Sequence, residues 1–252
     1  MITKERLDLA MDIGERMLVV GAEIHRVEDT VNRLCHALGA ARADCFIITS
    51  SIVVTVHSGE YDSLTDTRRI TSSSNDFHKL DMLNKLSRRI CSGELDDKEI
   101  RREIRRVDAS PTYAFPIEVL SYALIAASFT VFFGGGAISA IISAVIGAIL
   151  RFAVLIADRT ANNVIFAKFI SAATVTVFAF ISVRLGLVSQ ADEIIIGNIM
   201  LLIPGLGLTN ALRDLFTGDS LAGILRSLEA VLCAIAIAAG YIVVSLVVGG
   251  AV

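Results

Sequence analysis

The chain has 252 residues, 54% of them apolar, with 23 Lys/Arg against 26 Asp/Glu for a net charge of −3. A positive mean hydropathy over that length excludes an ordinary soluble domain and predicts a membrane protein. The near-neutral balance leaves no basic patch for nucleic acid, and its distribution is uneven: residues 1–113 hold 17 of the Lys/Arg and 19 of the Asp/Glu.

That shift divides the chain into an α+β domain over 1–113 and a transmembrane domain over 114–252. The opening stretch MITKERLDLAMDIGERM is charged throughout and lacks an apolar core of signal-peptide length, so the first domain is expected in the cytosol. Cys35, Cys45, Cys91 and Cys233 are far apart with no C-x-x-C pair, which supports neither a disulfide framework nor a zinc site.

Residues 4–38 read as one long helix. Ile13, Met17, Val20, Ile24, Val27, Val31, Leu34 and Leu38 alternate by four and three, the spacing of a helix burying one stripe, with Thr3 to cap it and Gly39 to end it. On another face His25, Asp29, Asn32 and His36 recur at helical spacing beside Glu23, Arg26 and Glu28. That face suits either a ligand or a solvated surface with pairs such as Asp29 and Arg33.

Two β-branched runs follow, Cys45 to Ile48 and Ile52 to His57, as a hairpin, with Arg68 to Thr71 as a third strand. Asn75 or Ser74 caps a helix through Ile90 that stops at Gly93. Asp96 and Glu99 form a capping box for a last short helix, whose basic face carries Arg101, Arg102, Arg105 and Arg106 and suits a cytosolic membrane surface. No nucleophile motif, P-loop, dinucleotide fingerprint or H-E-x-x-H is present, so the reading is non-enzymatic, with no metal, cofactor or catalytic residue assigned.

The membrane half reads as about five transmembrane helices. Ile117–Phe133 is the first, and Gly134-Gly135-Gly136 turns it into Ala137–Ala157. Val164–Val183 is the third, Ile194 begins an interrupted fourth, and Leu221–Val248 is the fifth. Arg151, Arg159, Lys168, Arg213 and Arg226 flank the inner connections, against Arg184, Asp192 and Glu193 outside. This puts the N-terminus in the cytosol and the C-terminus outside. Abundant Gly and Ala, as in GGGAISAIISAVIGAIL, suit close helix packing within one bundle or a homo-oligomer in the bilayer.

The fourth span carries the chemistry. In IMLLIPGLGLTNALRDLF, Pro204 removes an N–H and frees the carbonyl of Met200, a cost in lipid that broken helices bear where they line a cavity. A half-helix starting near Gly205 presents amide groups and a positive dipole end suited to a carboxylate. Thr209, Asn210, Arg213 and Asp214 lie within about one and a half turns, Gly218 stops the helix, and Asp219 caps the next. Arg226 and Glu229 share a face near the inner end of the fifth span. Ionisable groups at such depth are functional hypotheses, although Arg213, Asp214 and Arg226 also suit the interface as snorkelling or paired groups.

Two stretches, GAEIHRVEDTVNRLCHALG from Gly21 and PGLGLTNALRDLFTGDSLAGILRSLEAVL from Pro204, resemble the threonine/serine exporter family, specifically its YjjP-like first half. The resemblance implies a secondary exporter of small carboxylate metabolites such as threonine, serine or succinate, in a bacterial inner membrane. It also implies a split form working with a separately encoded YjjB-like second membrane half. Glu23, Arg26 and Glu28 match the family's soluble signature; Pro204, Gly205, Thr209, Asn210, Arg213, Asp214, Gly218, Asp219 and Glu229 match its membrane signature. A regulatory or assembly subunit that senses a metabolite is the rival reading, and an integral membrane enzyme is disfavoured by a membrane half with no histidine and Cys233 alone.

Overall fold

The computed structural model describes residues 2–58, 62–71, 74–111, 113–160 and 163–248, and the side chains of all of these except 158–160. Arg159 and the C-terminal residues 249–252, on which part of the topology reading rests, fall outside the described side chains and residues respectively. The chain forms two compact units, one of Met1–Pro111 with Thr209–Ser227, the other of Thr112–Leu208 with Leu228–Val252.

The first unit opens with a helical hairpin where one continuous helix was expected. α1 (Lys4–Val19), capped by Thr3, ends and α2 (Ile24–Ala37) begins only after a turn. The heptad stripe is buried along its whole length, from Ile13 to Leu38, but it lines two helices that pack on each other rather than one. A Cβ on Gly14 would stand 2.5 Å from Val31 Cγ2, so the glycine permits the close crossing.

The turn has a physical cause at Gly21, whose φ of 90° is left-handed. The Gly21 amide donates to the Leu18 carbonyl at 3.0 Å and the Ala22 amide to the Met17 carbonyl at 2.9 Å, the paired bonds that satisfy a helix end. The amides of Ser74 and Asp76 donate to the carbonyls of Val19 and Val20, fixing the turn from outside.

β1 (Arg42–Ile48), β2 (Ser51–His57) and β3 (Ser63–Arg69) form an antiparallel meander in that order. Ala43, Ile47, Ile52, Val54 and Val56 face the helices and join their core. The third strand lies earlier than the Arg68 to Thr71 run, because its inward side is mixed: Leu64 alternates with Asp66 and Arg68, and Arg68 donates to Asp8 of α1 at 3.2 Å. α3 (Phe77–Cys91) is capped by Asp76, which accepts from the Lys79 amide at 3.0 Å, rather than by Asn75 or Ser74. α4 (Asp97–Asp108) has the expected Asp96/Glu99 capping box, and all four of its arginines are exposed.

The second unit holds α5 (Phe115–Phe132), α6 (Ala137–Thr160), α7 (Val164–Arg184) and α8 (Asp192–Ile199). α9 (Gly205–Thr217) and α10 (Ser220–Val248) each run from one unit into the other. Among the described residues, four helices, α5, α6, α7 and α10, are long and apolar enough to cross a membrane. The interrupted segment expected as a further span is divided into α8 and α9, of 8 and 13 residues, and neither reaches that length.

Backbones approach closely inside this unit. A Cβ on Gly147 of α6 would stand 2.7 Å from the Tyr122 carbonyl oxygen of α5, and one on Gly240 of α10 would strike the Phe169 carbonyl of α7. Near the start of α5, Glu118 accepts from Arg151 of α6, whose guanidinium also lies 5.1 Å from the Phe115 ring centroid.

Candidate functional site

Two helix elbows meet in the first unit, and between them lies a network of charges. One elbow is the α1–α2 turn at Gly21–Glu23. The other joins α9 to α10 through Gly218, whose φ of 98° lets the Asp219 amide donate back to the Asp214 carbonyl at 2.9 Å. A Cβ on Gly223 would stand 2.9 Å from the Ala211 carbonyl oxygen, so α9 and α10 pack tightly just beyond their turn.

Asp214 is 1% exposed, and its Oδ2 accepts no hydrogen bond from the described residues. Arg226 Nη1 lies 3.4 Å from that oxygen, an ion pair without hydrogen-bond geometry, while Arg226 Nη2 donates to the Ala22 carbonyl at 3.2 Å. Arg213 donates to Glu23, the residue that starts α2. Burial pushes the Asp214 carboxyl up, against the pull of Arg226. Glu28 is also pushed up, first by burial and then by the nearby charge of Asp219, so its charged form is disfavoured at the same elbow.

The expected site residues therefore divide. Glu23, Glu28, Arg213, Asp214 and Asp219 gather in this network, together with Arg226, whose role the sequence left between function and snorkelling. Arg26 is exposed on α2, Thr209 is exposed and Asn210 half-buried on α9. Pro204, Gly205 and Glu229 belong to the second unit. Pro204 precedes α9, and its carbonyl accepts from the Leu208 amide at 3.0 Å, so the proline opens that helix instead of kinking it. Glu229 is exposed on α10. Of the His25, Asp29, Asn32 and His36 face, Asp29 accepts from Arg33 at 2.9 Å in solvent, and no group of three metal-binding side chains occurs among the described residues.

Sequence reasoning passed over a second polar group, wholly inside the second unit. Thr130 of α5, Ser143 of α6 and Asn198 of α8 are each 0% exposed. Thr130 Oγ1 donates to Ser143 Oγ at 2.6 Å; Asn198 Nδ2 donates to Ser143 Oγ at 2.8 Å and to the Ile194 carbonyl at 3.0 Å. Asn198 Oδ1 accepts no hydrogen bond from the described residues. Gly197 lets α8 reach this place, since a Cβ there would stand 2.8 Å from the Thr130 amide nitrogen. The available signal was a single amide in the apolar run IIIGNIM, two residues before the break at Met200.

No curated protein and no solved structure matches the chain. Compared with known families, residues 8–249 match ThrE, described as "Putative threonine/serine exporter". With nearly the whole length matched, and with apolar helices of spanning length in the same chain, the protein is a membrane protein that belongs to the threonine/serine exporter family.

Proposed function

We propose that the chain forms the pathway of a secondary-active exporter of threonine, serine or a similarly small carboxylate metabolite, in the plasma membrane with its first unit in the cytosol. The observation that carries this reading is the broken segment between α7 and α10. Three helices of spanning length, α5 to α7, separate residue 111 from residue 185. An odd number of crossings leaves the chain on the far side, yet Thr209–Ser227 belongs to the same compact unit as Met1–Pro111. The return is made by α8, the non-helical residues 200–204 and the start of α9, which makes five crossings in all. A return crossing in two pieces is tolerated where protein or a water-filled path satisfies its free backbone groups.

On this reading the amide end of α9 after Pro204 and Gly205 receives the substrate carboxylate, and Asn210 and Arg213 act further along the same helix. Arg213 is held by Glu23, so its release from that carboxylate would free a cation for the substrate. Asp214 and Glu229 are the proton-linked candidates, and within the first unit the α1–α2 elbow is tied to α9 and α10 through Glu23 and Ala22.

The test is efflux from proteoliposomes preloaded with labelled threonine, serine or succinate under an imposed pH gradient, with and without a second membrane module. Asn210→Ala and Glu229→Gln should lose efflux while retaining normal assembly. Wild-type efflux unchanged by both substitutions would remove these residues from the pathway and favour a regulatory subunit.

A further inference from the structure

Asn198 stands at the end of α8, directly before the break, and its amide orientation is fixed by what its nitrogen does. Nδ2 bonds both Ser143 Oγ and the Ile194 carbonyl, and the carbonyl has no proton to give, so the amide oxygen could not take the nitrogen's place if the group were flipped. Ser143 Oγ also accepts from Thr130, so both hydroxyls serve to hold the amide in place. The arrangement has little freedom to relax, because Gly197 lies against the Thr130 backbone and all three polar side chains are 0% exposed. What remains is a buried carbonyl oxygen that needs a donor.

The surroundings select the kind of donor. Asn198 is the penultimate residue of α8, where the helix dipole presents its negative end, and the non-helical residues 200–204 bring further carbonyl groups into the chain immediately after it. An oxygen acceptor at a negative helix end repels anions and favours a cationic group over a neutral one. A fully ionised dicarboxylate has no donor to offer this oxygen, whereas an amino acid has its ammonium.

We propose that Asn198 Oδ1 is the acceptor for a cationic group moved by the transporter: the ammonium of the substrate amino acid, or a monovalent cation carried with it. Thr130 and Ser143 are positioning residues for that amide. The inference rests on the exporter reading and gives the cationic group of the transported species a point of contact in the second unit.

The experiment measures equilibrium binding to the full chain in nanodiscs, which needs no transport. The probes are L-threonine in sodium or choline chloride, 3-hydroxybutyrate as the analogue without an ammonium, succinate, and sodium chloride alone. Asn198→Leu is expected to weaken threonine binding about tenfold or more, the worth of a hydrogen bond to a charged group. Binding of 3-hydroxybutyrate should not change if the ammonium is the partner. If a metal cation is the partner, threonine binding should require sodium, and the substitution should abolish that requirement. Asn198→Asp, which keeps the shape and adds charge while giving up the bond to the Ile194 carbonyl, should bind the cationic probe more tightly and make that binding fall at acid pH. Asn198→Asp with wild-type affinity for threonine and for sodium would overturn the proposal and leave a polar knot between helices, even if Asn198→Leu failed to assemble. Wild-type protein that binds neither threonine nor sodium would overturn it too. Binding that follows these expectations without any efflux would leave the assignment standing and fail the exporter reading instead.

Discussion

Neither member of the Asp214–Arg226 pair can turn to water, since Asp214 is 1% exposed and Arg226 14%. Removing one partner of a buried pair leaves the other charge uncompensated, so Arg226→Met is expected to destabilise the first unit by about 3–5 kcal/mol. Urea unfolding followed by circular dichroism reads this, and Asp214→Asn should cost less because Arg226 keeps the Ala22 carbonyl. Arg213 is 53% exposed, and Arg213→Ala should change stability by no more than about 1 kcal/mol. A large loss there would mean that the Glu23 contact holds the elbows together and is not released easily.

A different pair contributes to the acid limb. Two hydrogen bonds from Arg16, each 2.8 Å, hold the Asp108 carboxyl below its ordinary range. A lowered folded value means that the stabilisation is fully present above the unfolded pKa of about 3.9 and disappears as pH falls through the folded one. Asp108→Asn should therefore flatten the dependence of melting temperature on pH below about pH 4. An unchanged acid limb in that variant would assign the dependence to other carboxylates.

At the scale of elements, the α1–α2 turn depends on Gly21. Alanine there would adopt a left-handed φ and put its Cβ 2.5 Å from Asn75 Oδ1 and 2.8 Å from the Ser74 carbonyl oxygen. Gly21→Ala is expected to cost about 2 kcal/mol, seen as a lowered melting temperature with secondary structure retained. This is also where the sequence was least informative. A heptad stripe reports which positions are buried, and it was right about every one, but it has the same period whether the helix runs on or folds back on itself at a glycine. β3 was misplaced for a related reason: Asp66 and Arg68 take inward positions, so alternation of apolar residues marks only Leu64. The Asp96/Glu99 capping box and the glycine stops were easier to read, because each is a local matter, whereas the α3 cap fell one or two residues later, at Asp76. Asn198 was not, because a single amide in an apolar run shows its unpaired oxygen only once Ser143 and Ile194 are seen to occupy its nitrogen.

For the whole molecule, the four long apolar helices among the described residues were legible from hydropathy, and the segment divided into two short helices was the one whose proline and charges had marked it as unusual. Orientation can be tested with the native thiols. Cys91 is exposed on α3, Cys35 and Cys233 are buried, and Cys45 is half-buried with its thiol pushed up to about 11, which disfavours the reactive thiolate. With the first unit in the cytosol, a membrane-impermeant maleimide should label Cys91 only after the cells are permeabilised. Labelling of intact cells that disappears in Cys91→Ser would invert the topology.

The first unit is also finished by residues that come late in the chain. Ala222 belongs to its buried core, and Arg226 and Arg213 reach back to Ala22 and Glu23. During synthesis, residues 1–111 are complete well before these partners exist, and every residue of α5 to α8 must be translated first. On the proposed topology the N-terminal unit would wait, with an open seam at the α1–α2 turn, until membrane insertion had returned the chain to its side, and the closing of that seam would then report that insertion had been completed.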